Sequence, residues 1–194
     1  LSYEHQLQIK AAQVKEMMNQ AVCGDYIWEG ITPSPVVNGY RNKMEFTFGD
    51  EVKNGPMSLG MHKRGSFHDV VSVLNCQIVD ADYRQILKWT LKAATDSGMS
   101  YYHRMRHTGF FRHLLVRKAV KTGEILIVLI TASGNDADNP ISSEDIEEML
   151  KGWKDQLLKL SLDGKIVGIL HTVNDNIADT VIDEGTRVLF GQDY

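Results

Sequence analysis

Cysteine is scarce in this sequence, which holds only Cys23 and Cys76 among its 194 residues. Two cysteines do not make a disulfide framework, so a small secreted fold held by disulfide bonds is excluded and a reduced, cytoplasmic setting is expected. Long hydrophobic runs are also missing, because the longest, residues 125–130, falls far short of the roughly 20 residues that cross a bilayer. The opening residues are charged and amphipathic, unlike a signal peptide. We expect no association with membranes.

Catalytic motifs that can be recognised by their spacing are absent too. The chain contains no glycine-rich phosphate loop, no nucleophile elbow, no HExxH and no CxxC. His103 and His107 have the spacing of a metal site on a helix. Gly109 and the neighbouring aromatic residues argue against a helix at that point. A small enzyme that uses the histidines of residues 103–113 nevertheless remains an alternative. Metal that stays bound after purification would support it.

Charge, by contrast, is present in quantity and unevenly distributed. The net charge is -4, yet residues 41–121 carry 14 Lys and Arg against seven Asp and Glu, a local net charge of +7. Residues 1–40 and 122–194 are both acidic overall. A basic middle in an acidic chain is expected of a local anion-binding face. The alternative is that the basic and acidic segments neutralise each other across the fold.

The spacing of apolar residues predicts an α+β fold. A stripe at spacings of three and four runs through residues 2–22, and Pro33 and Pro35 then indicate an extended connector. Residues 1–38 are thus expected to be a helical arm with a connector, and residues 39–194 a central domain with an antiparallel or mixed sheet. About three helices are expected, the other two at 80–97 and 144–160. Strands are predicted at 40–48, 57–63, 69–73, 110–119, 124–131, 165–172, 181–182 and 186–190.

Basic residues of the middle segment lie in strands and bends and alternate with aromatic residues. Cations bind phosphates and exposed aromatic rings stack on unpaired bases, so this pattern favours RNA over other anions. The stretch at residues 100–109 also contains Arg104, Tyr101 and Tyr102. The candidate RNA-binding residues are Arg41, Lys43, His62, Lys63, Arg64, Arg106 and Arg112.

Several stretches resemble one known family, the bacterial RNA uracil-5 methyltransferases of the 23S rRNA class. They are GYRNK at 39–43, LGMHKRGSF at 59–67, RHTGFFRHL at 106–114 and LHTVN at 170–174. The resemblance covers essentially the whole chain. It implies a larger enzyme with an N-terminal OB-like domain, a cysteine cluster and a C-terminal Rossmann-like domain that binds S-adenosylmethionine. This chain would be the central region, which helps to bind and position folded RNA for methylation of uridine at C5.

The same resemblance bears on the cofactors and on catalysis. Cys76 matches one of four cysteines that hold a [4Fe-4S] cluster in that family, while Cys23 matches none. Because such a cluster usually needs four thiolates, none is expected on this chain alone. The cysteine that attacks C6 of the uracil and the base that removes the C5 proton would both lie in the C-terminal domain. We therefore expect no catalytic residue here, and a stand-alone RNA-binding module without catalysis stays open as an alternative.

Overall fold

A computed structural model describes residues 1–66, 68–136, 139–177 and 185–193. Within these ranges it has three helices and seven strands, which confirms the predicted α+β class with a mixed sheet. The predicted strand at 181–182 lies outside the described residues. The helices are α1 (Tyr3–Ala21), α2 (Ala81–Asp96) and α3 (Ser143–Leu157), and the strands are β1 (Lys43–Asp50), β2 (Met57–His62), β3 (Val70–Ser72), β4 (Phe111–Lys118), β5 (Glu124–Thr131), β6 (Lys165–Val173) and β7 (Thr186–Gly191).

The strands form one sheet in the order β3-β2-β1-β4-β5-β6-β7. Every neighbouring pair is antiparallel except β5 and β6, which run parallel. A parallel pair needs a crossover connection, and α3 supplies it. The helix α2 carries the chain from the edge strand β3 back to β4, beside β1. The centre of the sheet is therefore built from segments far apart in sequence.

The strand β1 begins three residues later than the alternation predicted. The backbone amides of Gly39 and Arg41 donate instead to the carbonyl oxygens of Gln77 and Ile78, at 2.8 and 2.9 Å. These residues therefore tie the connector to the segment before α2. Since β1 also continues to Asp50, the whole strand is displaced towards the Asn54 hairpin turn, where Asn54 has a positive φ of 61°.

The main hydrophobic core lies between one face of the sheet and the helices α2 and α3. Alternate strand residues such as Phe46 and Leu114 point into it and are fully buried. The apolar stripe of α2 is buried, apart from the half-buried Leu91. Trp153 of α3 donates its indole N–H to the Thr90 hydroxyl over 3.0 Å, which satisfies both buried polar groups and fixes the two helices against each other.

A polar side chain caps the N-terminus of each helix. Ser2 accepts from the His5 amide at 3.3 Å and Asp80 accepts from the Asp82 amide at 3.0 Å. Of the serine pair before the third helix, Ser142 is the cap, because its hydroxyl accepts from the Asp145 amide at 3.1 Å. These bonds satisfy amide groups that have no partner within the helix.

The helix α1 forms an arm with the connector and buries none of its residues. The Tyr3 hydroxyl accepts from the Ser34 amide at 2.6 Å, and the Tyr26 hydroxyl donates to the Lys15 carbonyl at 3.4 Å. The predicted apolar stripe exists, but its outer part, including Met18, stays exposed. No helix in the described ranges is both long and apolar enough to cross a membrane.

Candidate nucleic-acid interface

The face of the sheet turned away from α2 and α3 carries the charged residues of β1 and β4, and we call it the open face. Met44 and Phe46 point into the core, so Lys43, Glu45 and Thr47 lie on the opposite side of the pleat. A second, smaller apolar cluster, centred on Ile130, also covers part of this face. The open face is therefore apolar towards β6 and polar towards β1 and β2.

A first group of cations lies where β1 begins. Lys43 is the register partner of Arg117 in β4, and both side chains are exposed. The Arg41 side chain reaches the same end of the strand, where its Nε donates to the Lys43 carbonyl at 3.1 Å. Sequence reasoning missed Arg117, because only the pairing of β1 with β4 shows that it lies beside Lys43.

A second group of basic side chains lies at the end of β2 and in the turn that follows. His62, Lys63 and Arg64 are exposed there. The Arg104 guanidinium donates to His62 Nε2 over 2.7 Å, which brings a distant loop onto this turn. Since arginine can only donate, His62 accepts with that nitrogen. Continuing the β1–β2 register places His62 beside Glu45, about 7 Å along the strand from Lys43.

The loop that supplies Arg104 is a tight turn. The His103 amide donates to the Thr108 carbonyl at 2.7 Å, and the His107 amide donates to the His103 carbonyl at 2.8 Å. Arg106 lies exposed at its tip. The argument against a helix at residues 103–107 is confirmed. In the part of the chain that the structure describes, no three histidine, cysteine or acidic side chains come together as a metal site.

Arg112 differs from the other candidate residues because its side chain is only 3% exposed. Its Nη1 donates to the carbonyl oxygens of Asn174 and Asn176, both at 2.8 Å. Its guanidinium also lies 4.1 Å from the centre of the Tyr102 ring, a cation–π contact. The geometry makes Arg112 a residue that holds Tyr102 and the segment after β6 in place.

A cleft of about 420 Å³ opens beside these cations, and we call it the tyrosine cleft. Its walls come from β1, the turn after it, the bend at 68–70 and the loop at 101–105. Tyr101 is held by a hydrogen bond to Asp50; burial first, and then this carboxylate, raise the pKa of its hydroxyl. The floor includes Thr47, whose hydroxyl lies 3.3 Å from His113 Nδ1. The sequence marked these tyrosines as aromatic but did not show that they line a cavity.

The cysteines are both free thiols. Cys76 is half-buried at the rim of the core, and its carbonyl accepts from Arg84 over 3.2 Å. Cys23 is exposed beyond the end of α1. A [4Fe-4S] cluster needs four thiolates in most proteins, and a chain with two cysteines does not supply them. The residues present do not fit such a cluster on this chain alone.

Comparison with known proteins gives three findings on this chain. No protein-family model matches it. An uncharacterised RNA methyltransferase of Clostridium acetobutylicum is 41% identical over 194 residues, and one of Caldanaerobacter subterraneus is 39% identical over 198 residues. Each alignment covers all of this chain but 40% of the relative, so the chain spans about two fifths of the length of these curated relatives.

The fold also matches that of a solved structure. The tRNA (uracil-54, C5)-methyltransferase of Pyrococcus abyssi, in complex with S-adenosyl-L-homocysteine, superposes with a TM-score of 0.65. The match covers 99% of this chain and 39% of that one, at 18% identity. At that identity the likeness shows the fold alone, while the two bacterial relatives carry the assignment. The resemblance to RNA methyltransferases is confirmed, and the chain belongs to that family.

Proposed function

We propose that this chain is the RNA-positioning part of an S-adenosylmethionine-dependent methyltransferase that modifies uridine at C5 in folded RNA, with 23S rRNA as the substrate. One observation carries this most directly. The β1–β4 register sets Lys43 beside Arg117, and Arg104 contacts His62 of β2, so basic side chains from distant segments lie at one end of the open face. The names of the curated relatives and the uracil-C5 activity of the Pyrococcus enzyme support the reaction class.

The cations would act by neutralising phosphates. Each phosphate contact releases a bound counterion, so the affinity for RNA should fall as salt rises. Lys43, Arg117 and Arg64 have exposed side chains that can reach a backbone without first breaking a buried interaction. Arg112 would act indirectly, by keeping Tyr102 in position. Transfer of the methyl group from S-adenosylmethionine, and the nucleophile and base that it requires, would belong to the rest of the enzyme.

RNA binding by the chain tests this proposal. Anisotropy of a fluorescent 23S rRNA stem-loop should report binding that weakens steadily between low and physiological salt. For a single-stranded contact, each phosphate contributes about -0.7 to the slope of log affinity against log salt. Lys43→Gln and Arg117→Gln should each flatten this slope by about that amount. Lys159→Gln, an exposed residue just after α3, is the matched control and should leave the slope unchanged.

Two results would contradict the proposal. The first is an affinity for the stem-loop that stays flat as salt rises, since a face that grips phosphates must release counterions. The second is methylation of the stem-loop with turnover by the 194-residue chain and S-adenosylmethionine alone, because the catalytic groups are assigned to the remainder of the enzyme. Calorimetry should likewise detect no binding of S-adenosylmethionine to this chain.

A further inference from the structure

The tyrosine cleft is a separate feature from the exposed cations. Its volume of about 420 Å³ falls within the roughly 300–1,000 Å³ of small-molecule pockets, so it has room for one nucleotide but not for a duplex. It opens beside His62 and Arg104, which belong to the second group of basic side chains. A chain of RNA bound at these cations would therefore pass the mouth of the cleft.

Two glycines allow the segments that form the walls of the cleft to pack closely against their neighbours. A side chain at Gly109, which has a φ of +104°, would place its Cβ 2.1 Å from the Tyr101 carbonyl oxygen. At Gly49 it would place its Cβ 2.5 Å from the Val70 side chain. The loop and the bend thus pack against their neighbours at distances that only glycine allows. A site with fixed walls loses little freedom when its ligand binds.

The chemistry inside the cleft combines aromatic rings with carboxylates. Tyr102 is backed by the Arg112 guanidinium, and the rings of Tyr101 and His103 lie 6.5 Å apart and within 24° of parallel. Rings held in this way can stack on an unpaired base. Asp50 and Asp69, which are joined by a β-bridge, also line the cleft. Their carboxylates would repel a phosphate inside it.

We propose that the tyrosine cleft binds one unpaired nucleobase that carries an exocyclic amine, and that this base is a neighbour of the modified uridine in the RNA. The proposal rests on the proposed function. Adenine, cytosine and guanine present N–H₂ donors that a carboxylate can accept. Uracil has a single N–H between two carbonyl oxygens, and these would face the Asp50 and Asp69 carboxylates unfavourably. The cleft therefore reads an amino-bearing base and rejects the base that is methylated.

Nucleotide titrations followed by two-dimensional NMR of the 194-residue chain test the proposal. AMP and CMP should give saturable shifts at residues of the cleft, and UMP should bind about fivefold more weakly or worse, as expected for loss of a base-specific hydrogen bond. Asp69→Asn should weaken the binding of AMP and CMP and narrow their advantage over UMP, because the half-buried side chain, which lines the cleft, loses its charge. Asp96→Asn, an exposed residue of α2, is the matched control and should change nothing.

Three results would each overturn the proposal. The first is equal shifts with all three nucleotides, and the second is the absence of a saturable shift at the cleft. The third is an Asp69→Asn variant that binds the nucleotides as the unchanged chain does. The comparison of nucleotides on the unchanged chain does not depend on how any variant folds. Salt-dependent binding of the stem-loop, with no nucleotide bound in the cleft, would refute the proposed base site and leave the proposed function standing. Specific binding of nucleotides in the cleft without salt-dependent binding of the stem-loop would refute the proposed function and leave the cleft as a base-binding site.

Discussion

The Lys118 ammonium lies 2.6 Å from the Asp82 carboxylate, whose side chain is only 1% exposed. The backbone amides of Asp163 and Gly164 donate to the same carboxylate, each over 2.8 Å. Asp82 is in α2, Lys118 ends β4, and the two amides belong to the turn before β6. One buried side chain therefore joins three parts of the fold that are distant in sequence.

Replacing Asp82 by alanine should cost about 3–5 kcal/mol of unfolding free energy, the range for removing one partner of a buried ion pair. The Lys118 ammonium would keep Asp80 as a partner, which favours the lower end. Urea unfolding followed by circular dichroism measures the change. Asp96→Ala breaks an exposed pair with Lys92 and should cost less than about 1 kcal/mol. Equal losses for the two variants would show that Asp82 does not have this role.

Asp82 should also make the fold sensitive to acid. Burial alone would raise its pKa, but the hydrogen bonds from Lys118, Gly164 and Asp163 outweigh burial and hold the pKa of this carboxyl below its usual value. The unfolded chain therefore takes up this proton first as the pH falls. The stabilisation is fully present above about pH 5 and is lost below about pH 4. A pH series of unfolding curves for Asp82→Asn should lack this acid-dependent loss.

His171 should also make the folded state less stable in acid, and this loss should begin at a higher pH than the loss caused by Asp82. Burial, and then the charge of Arg187, lower the pKa of His171 to about 4 despite the opposing Glu147. The neutral ring lies 2.8 Å from the Thr131 hydroxyl. Because the unfolded chain binds a proton near pH 6.5 and the folded chain does not, stability should fall by roughly 3 kcal/mol as the pH drops from 7 to 4. His171→Gln should flatten that part of the pH profile, and an unchanged slope would contradict the assignment.

Two glycine substitutions should have opposite effects on stability. A Cβ at Gly60 would lie 1.9 Å from the Val71 carbonyl oxygen, so Gly60→Ala must move the β2–β3 pair and should cost about 1–3 kcal/mol or more. A Cβ at Gly152 meets nothing within 4 Å. Gly152 lies inside α3, so Gly152→Ala should stabilise the protein by about 0.5–1 kcal/mol. Thermal unfolding of both variants checks the signs.

Removal of the helix α1 should leave the central domain folded. No residue of this helix is buried, so its deletion removes little apolar surface from the core. A chain that begins at Val22 should keep its melting temperature within a few degrees, and amides of α1 should exchange with solvent much faster than those of β5. A large loss of cooperativity on deletion would show that the arm supports the domain.

The helices were predictable because their caps and apolar stripes are local. Ser2, Asp80 and Ser142 all precede helices within the described ranges, and the alternation of Met44 and Phe46 indicated the buried face of β1. The order of the strands was not predictable in the same way. Nothing in the residues of β5 and β6 alone indicates that they pair in parallel, or that β4 lies beside β1.

Arg112 shows why part of the candidate site could not be predicted. Simple alternation along β4 sets Phe111 and His113 on one face and Arg112 on the other. The register shifts between Phe111 and His113, and such a bulge changes where the side chains point. Phe111, Arg112 and His113 are all buried. A bulge depends on the partner strand, so a cation that looked exposed in the sequence lies instead beneath Tyr102.

The parallel pairing of β5 and β6 has a consequence for how the chain folds. The β4–β5 hairpin closes over the short turn at 119–123, whereas β6 reaches β5 only after residues 132–164 have folded back. Distant pairings form more slowly than local ones. During that delay the outer edge of β5, whose Val128 and Ile130 are buried in the native fold, is open to a strand of another molecule. The yield of refolding should therefore depend on protein concentration, with dilution favouring the native fold.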